Sequence, residues 1–193
     1  MRRHLLTLLL PMALLAAPVA AGVAQDGNGR SAAHRGFWIG FGLGGGTNFA
    51  DWADGARSGV GAYLRMGGSV SQQLLLGGEI IGWGRNRNGA TFSESGLTAV
   101  AIFYPARAGL FLKGGAGFAG WSASAQSGST TTTQTAAGFA GTLGIGYDLQ
   151  IGGNLFLTPN VDFLYHTISS ENTAFADLSS GTVLLFTLGL TWH

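Results

Sequence analysis

Phe37-Trp38-Ile39-Gly40-Phe41-Gly42-Leu43-Gly44 is the stretch on which the reading of this 193-residue chain turns. Phe37, Ile39, Phe41 and Leu43 alternate with Trp38, Gly40, Gly42 and Gly44. Successive side chains of a strand point to opposite faces, so one face is large and apolar and the other is mostly glycine. The pattern recurs down the chain. Val60, Ala62, Leu64 and Met66 alternate with Gly61, Tyr63, Arg65 and Gly67. Phe139, Leu143, Ile145 and Tyr147 alternate with Ala140, Thr142, Gly144 and Gly146. Leu184, Phe186, Leu188, Leu190 and Trp192 alternate with Leu185, Thr187, Gly189 and Thr191.

Leu74 to Trp83, Leu97 to Tyr104, Leu110 to Trp121 and Leu155 to His166 complete a set of eight strands. Each is roughly ten residues long, the length a tilted strand needs to cross a bilayer. After Gly36 there is no helical spacing of apolar residues and no run of about 18 that would make a spanning helix. Pro159 lies inside the Leu155–His166 strand, where it cannot donate to a ladder, and predicts a bulge there. The joints at Gly68–Gln73, Pro105–Ala108 and Asp148–Gly153 are short. Those at Thr47–Arg57, Gly84–Ser95, Ser122–Thr135 and Ser169–Gly181 are longer. Short turns on one side and longer loops on the other describe an antiparallel up-and-down transmembrane barrel with its termini in the periplasm.

Composition agrees. The chain has 34 Gly, no Cys and only 10% charged residues, against 46% apolar ones. Without Cys there is no disulfide framework, iron–sulfur cluster or thiolate zinc site. A soluble barrel would show the same alternation, but its outer polar face should carry about 25–35% charged residues. Here that face is Gly, Ala, Thr, Ser and Asn, which suits a crowded interior, while Leu, Ile, Phe and Val suit lipid.

Residues 1–24 read as a signal peptide. Arg2 and Arg3 precede an uncharged run from Leu5 to Ala21, and small residues accumulate before a polar segment. Cleavage is expected after Ala24, with Ala21 as the alternative. Residues 25–35 read as a flexible periplasmic lead-in, and 36–193 as the barrel. Export removes two arginines, so eight Lys/Arg face nine Asp/Glu and no basic face remains for nucleic acid.

Four charges fall within strands: Arg65, Glu79, Lys113 and Asp162. A lipid-facing Arg or Lys near the midplane costs about 2–4 kcal/mol. All four are therefore expected in the lumen, two of each sign, as a balanced network. Eight strands leave an interior just filled by side chains, so the lumen is a plugged polar core. Aromatic residues near strand ends predict two interfacial girdles. Trp38, Tyr104, Tyr147 and Trp192 are placed on the periplasmic side, and Trp83, Trp121 and Tyr165 toward the outside.

The signal peptide, the eight amphipathic strands and the closing row Leu184, Phe186, Leu188, Leu190, Trp192 together resemble the small OmpA/OmpX-type outer-membrane barrels. The likeness covers about Gly36 to His193. It implies outer-membrane lipids and lipopolysaccharide as surroundings. It also implies the barrel-assembly machinery as a partner during insertion. The chain is expected to end with the barrel, without the peptidoglycan-binding domain of the family's longer members. The family's last strand often ends in an aromatic residue; here Trp192 is penultimate and His193 is last.

Enzymatic chemistry has one candidate, His166, with Ser170 and Glu171 nearby, a set similar to that of the outer-membrane lipid A deacylases. In that family His and Ser are two apart on one face. Here Ile168 holds the second position, and the expectation is a rim histidine facing water or the lumen, with no catalytic residue. Gly42–Gly46 and Gly114–Gly117 lack the Lys and the following helix of a phosphate loop. No cofactor or metal is expected. The reading is a non-enzymatic barrel that supports the envelope or contacts a surface partner through its outer loops. The alternatives are a lipid A-modifying enzyme and a soluble periplasmic ligand-binding barrel. Ser122–Thr135 is expected as a solvated mobile loop.

Overall fold

The computed structural model describes residues 36–49, 56–87, 89–106, 109–127, 130–169 and 180–193. The signal peptide and the whole of the lead-in lie outside the described residues. The described chain forms β1 (Phe37–Asn48), β2 (Arg57–Ser69), β3 (Leu74–Arg87), β4 (Ala90–Phe103), β5 (Leu110–Ser127), β6 (Thr130–Tyr147), β7 (Leu149–Gly152), β8 (Leu155–Ser169) and β9 (Ser180–Trp192). Every neighbouring pair is antiparallel, and β9 pairs with β1, which closes the sheet.

Closure is staggered. The rung Trp38, Gly67, Gly77, Val100, Gly115, Thr142, Leu164, Val183 returns to β1 at Asn48, ten residues along from its start. A stagger of that size around eight staves corresponds to a strand tilt of about 40°.

β7 shares the register that β6 holds against β8, so the two are one stave interrupted at Asp148. Pro159 lies opposite that interruption. It has no N–H to give, and the ladder lapses there. The bulge expected in this strand is not at Pro159: β8 runs against β9 in unbroken register from Leu155 to Thr167. The register shift instead lies across the strand pair, between Gln150 and Gly152. Pro159 is exposed on the outer face, where only the ladder toward β6 loses a donor.

Two of the expected longer loops are also strand. β3 and β4 stay paired as far as Arg87 and Ala90, and β5 and β6 as far as Ser127 and Thr130. Gly89 turns the first hairpin at φ +75°, a left-handed conformation that suits glycine. In the second, four consecutive threonines, Thr130–Thr133, stiffen the chain toward the extended form. Their ladder bonds replace the solvated loop. The other two, Thr47–Arg57 and Ser169–Gly181, run through residues outside the description.

Parity then sorts the side chains. Phe41, Leu43, Val60, Ile80, Leu97, Phe118, Phe139, Leu143, Phe186 and Leu188 stand exposed on the outside. The opposite parity fills the interior in layers. Trp38, Leu75, Val100, Ile102, Tyr104 and Phe111 cluster near the short turns. Tyr63, Ile81, Trp83, Leu164, Val183 and Leu185 form a second cluster further along. Glycines make the room: a Cβ on Gly42 would lie 2.5 Å from the Tyr63 ring.

Candidate functional site

The lumen is where polar chemistry collects. Lys113 projects from β5 between two acids. Its Nζ lies 2.5 Å from Glu79 Oε2 on β3 and 2.6 Å from Asp162 Oδ1 on β8. All three side chains are fully withdrawn from solvent. Asn160, two residues from Asp162 on the same face, donates its amide to the second Asp162 oxygen. One ammonium thus ties three staves, and each acid gives it one oxygen. Charges taken from water need such partners, since an uncompensated buried ion costs several kcal/mol.

Arg65 is buried in the same region but makes no ion pair within 4 Å among the described residues. Its guanidinium carbon stands 4.5 Å from the Tyr63 ring centroid and 5.0 Å from that of Phe111. Cation–π contact supplies part of what water would. Glu79 faces Arg65 across the β2–β3 ladder, so its negative charge lies nearby without a direct bond. The arrangement is one lysine shared by two acids, with an arginine held between rings.

A second polar group lies toward the long-hairpin end. Asn48 Nδ2 donates to Glu94 Oε1 at 2.5 Å, and His166 Nε2 lies 2.8 Å from Glu94 Oε2. All three residues are buried, and they come from β1, β4 and β8. Trp121 and Ile168 pack with Phe92 beyond them. His166 is therefore an interior histidine bound to Glu94; Ser170 and Glu171 fall outside the described residues. Glu94 went unnoticed in the sequence because it stands in the segment expected to be a loop. Its parity with Thr98 and Val100 was the available signal.

The third group closes the short-turn end. Asp148 accepts from the Tyr104 hydroxyl at 2.7 Å and the Thr158 hydroxyl at 2.6 Å. His193 Nε2 stands 3.4 Å from the same carboxylate, and its ring meets Phe156 edge-on at 5.1 Å. This cluster uses the gap that Pro159 leaves in the ladder. Sequence parity alone gives no hint of it.

The interfacial girdles need correction. Trp38, Trp83, Tyr104 and Trp121 point into the lumen, with at most 6% exposure. Trp38 shares the parity of Gly40 and Gly42, and a Cβ on Gly77 would come within 2.8 Å of its ring. Large rings seated over glycines of neighbouring strands fill the narrow interior. Two of their polar ends find partners there: Trp83 Nε1 donates to the Gly46 carbonyl at 3.2 Å and the Tyr104 hydroxyl to Asp148. Trp192 and Tyr165 do face outward, and Tyr147 is half-buried. Among the described residues no group of three or more His, Cys, Asp or Glu could hold a metal ion.

No family profile matches the sequence, and no curated protein matches it. Solved structures do. The chain is similar to Neisserial surface protein A, with 16% identity and a TM-score of 0.58 over 81% of this chain and 96% of that one. It is similar also to Ail, the attachment invasion locus protein of Yersinia pestis, with 15% identity and a TM-score of 0.59 over 82% of this chain and 98% of that one. The structure of Ail with the heparin analogue sucrose octasulfate gives a TM-score of 0.54. The filled lumen, the stagger of ten and these likenesses agree: the chain has the fold of the small eight-stranded outer-membrane barrels of the OmpA/OmpX type.

Proposed function

We propose that this protein resides in a bacterial outer membrane, is exported through the leader read at residues 1–24, and has a non-enzymatic role in envelope structure or surface contact. The observation that carries the reading is the inverted surface. Along the belt, charges and amides lie inside and large apolar side chains are bare outside, Phe118 at 76% and Leu43 at 68%. A soluble barrel would not expose such a continuous belt. The row from Leu184 to Trp192, at a tilt of about 40°, covers about 20 Å of the ~25 Å apolar band such barrels present. On this reading outer-membrane lipids and lipopolysaccharide surround the belt, and the barrel-assembly machinery inserts it. The outer loops then carry contact with a surface partner, the β3–β4 and β5–β6 hairpins among them.

The non-enzymatic part is supported by what His166 does. It is 2% exposed inside the lumen, which keeps it from a lipid headgroup at the rim. The names of the two similar proteins, a surface protein and an attachment protein, favour surface contact over catalysis. Fractionation tests the placement. The mature chain should sediment with the outer membrane and migrate faster in SDS unless heated. Recovery in the soluble periplasm would overturn the reading.

A further inference from the structure

The outer face of β2–β6 carries a trench that the interior does not demand. The rung Ala62, Gly82, Ser95, Gly120, Ala137 is small on five successive strands. One rung toward the short-turn end stand Leu64, Ile80, Leu97, Phe118 and Phe139, all exposed. On β2–β4 the step between the two rungs lines a groove of about 460 Å³ over Ala62, Gly82 and Ser95, bounded by Leu64 and Ile80 on one side and by Val60, Gly84 and Ser93 on the other. That is the size of a small-molecule site. A Cβ on Gly84 would meet nothing nearer than 3.6 Å, and one on Gly82 nothing nearer than 3.4 Å. The fold has room for side chains there, unlike at Gly42 in the lumen.

On the other side of the trench Val60 still stands exposed on β2, and on β4–β6 the surface changes chemistry. Ser93, Ser122 and Thr135 share one rung, and Asn86, Thr91, Ser124 and Thr133 the next. Ser93 and Ser122 hydroxyls lie 2.7 Å apart, and those of Ser124 and Thr133 3.0 Å apart. None of these positions is charged. Arg57, Arg85, Arg87 and Glu94, the charged residues at this end of β2–β4, all have the opposite parity. The face is thus graded along the barrel: a large apolar wall, a trench, then neutral hydroxyls.

We propose that this face docks a glycolipid of the outer leaflet, with an acyl chain in the trench and a neutral sugar headgroup on the Ser/Thr rungs. The inference rests on the membrane reading above. The groove is continuous with the lipid-facing belt, so a chain enters it from the bilayer without crossing water. Hydroxyl rows without charge suit a sugar and give a phosphate no counter-charge. A second copy of this chain fits poorly, because a two-fold contact would set groove against groove and leave the space unfilled.

The test uses the mature protein in phosphatidylcholine nanodiscs doped with monoglucosyl diacylglycerol of the same chains, with retained lipid counted by native mass spectrometry. Wild type should retain the glucolipid about tenfold over phosphatidylcholine, the scale of one or two net hydrogen bonds. Gly82→Leu with Gly84→Leu should abolish retention of either lipid. Ser93→Ala with Ser122→Ala should keep a bound lipid but lose the preference. Gly78→Leu, on the same face of β3 with open space around it, should behave as wild type. If the wild-type barrel inserts but shows no preference, if the filled trench retains the glucolipid, or if the trench is covered by a second chain in a dimer, the inference is overturned and the membrane reading stands. If the protein stays soluble without lipid, both fall.

Discussion

Lys113 Nζ lies 2.5 Å from Glu79 Oε2 although β4 separates their strands, so the bond bridges over β4 inside the lumen. Asp162 holds the same ammonium from a third stave. Lys113→Met would leave two acids buried without their cation. We expect a loss of about 3–5 kcal/mol, against about 0.5 kcal/mol or less for Arg87→Met at the exposed hairpin. Adding Glu79→Gln to Lys113→Met should recover part of the loss, since the pair is in contact. Thermal unfolding in detergent micelles measures all three. Equal tolerance of Lys113→Met and Arg87→Met would mean that the network contributes nothing.

Gly144 stands where a Cβ would lie 2.3 Å from Asp162 Oδ1 and 3.1 Å from Lys113 Cε. Gly144→Ala should push the ion pair apart and cost about 1–3 kcal/mol, as overpacking does. Gly141→Ala faces the other way, with its nearest neighbour at 4.0 Å, and should be close to neutral. Denaturant midpoints for the two variants give the comparison.

Glu94 accepts from both Asn48 and His166. Glu94→Ala should therefore cost about 1–3 kcal/mol for each polar group left buried and unpaired. Ser124→Ala, at an exposed hydroxyl pair, should change stability by about 0.5 kcal/mol or less. A matched loss in both would place Glu94 in contact with water.

Leu188 sits mid-belt, opposite Leu43 and Pro159, and is 54% exposed. Leu188→Arg should lower the stability of the inserted barrel by about 2–4 kcal/mol. Folding yield into lipid vesicles reads the effect. A variant that becomes more soluble and stays folded without lipid would contradict the outer-membrane proposal.

The packed interior predicts little ion flow, because side chains of an eight-stranded barrel occupy the space that water would need. Planar-bilayer recordings should show small conductance or none. Large stable channels would require a lumen wider than the one that Trp38, Arg65, Tyr104 and Phe111 fill.

Much of the fold was legible in alternation. The parity that separates Phe41 and Leu43 from Gly40 and Gly42 also decides that Trp38 turns inward. The girdle expectation for Trp38 set a general tendency against that local pattern, and the pattern prevailed. Trp83 and Trp121 follow the same logic, since each shares parity with a lumen charge on its own strand. The Ser122–Thr135 segment misled for another reason. Its polarity resembled a loop, but threonine favours the extended chain, and strands can continue past the apolar belt.

By itself the sequence determined the eight staves, the closed antiparallel order and the sidedness of the rows that alternate plainly. Those depend on a period of two and on connection length, which are local properties. Only the tertiary structure decided which inward residues meet. Glu79, Lys113 and Asp162 are far apart along the chain, and their common level follows from the stagger of ten that closure imposes. The same stagger brings Asn48, Glu94 and His166 together, and the lapse opposite Pro159 gives Tyr104 and Thr158 access to Asp148. Register between strands is set by every turn and by the closing β9–β1 pair at once, so no single stretch of sequence carries it.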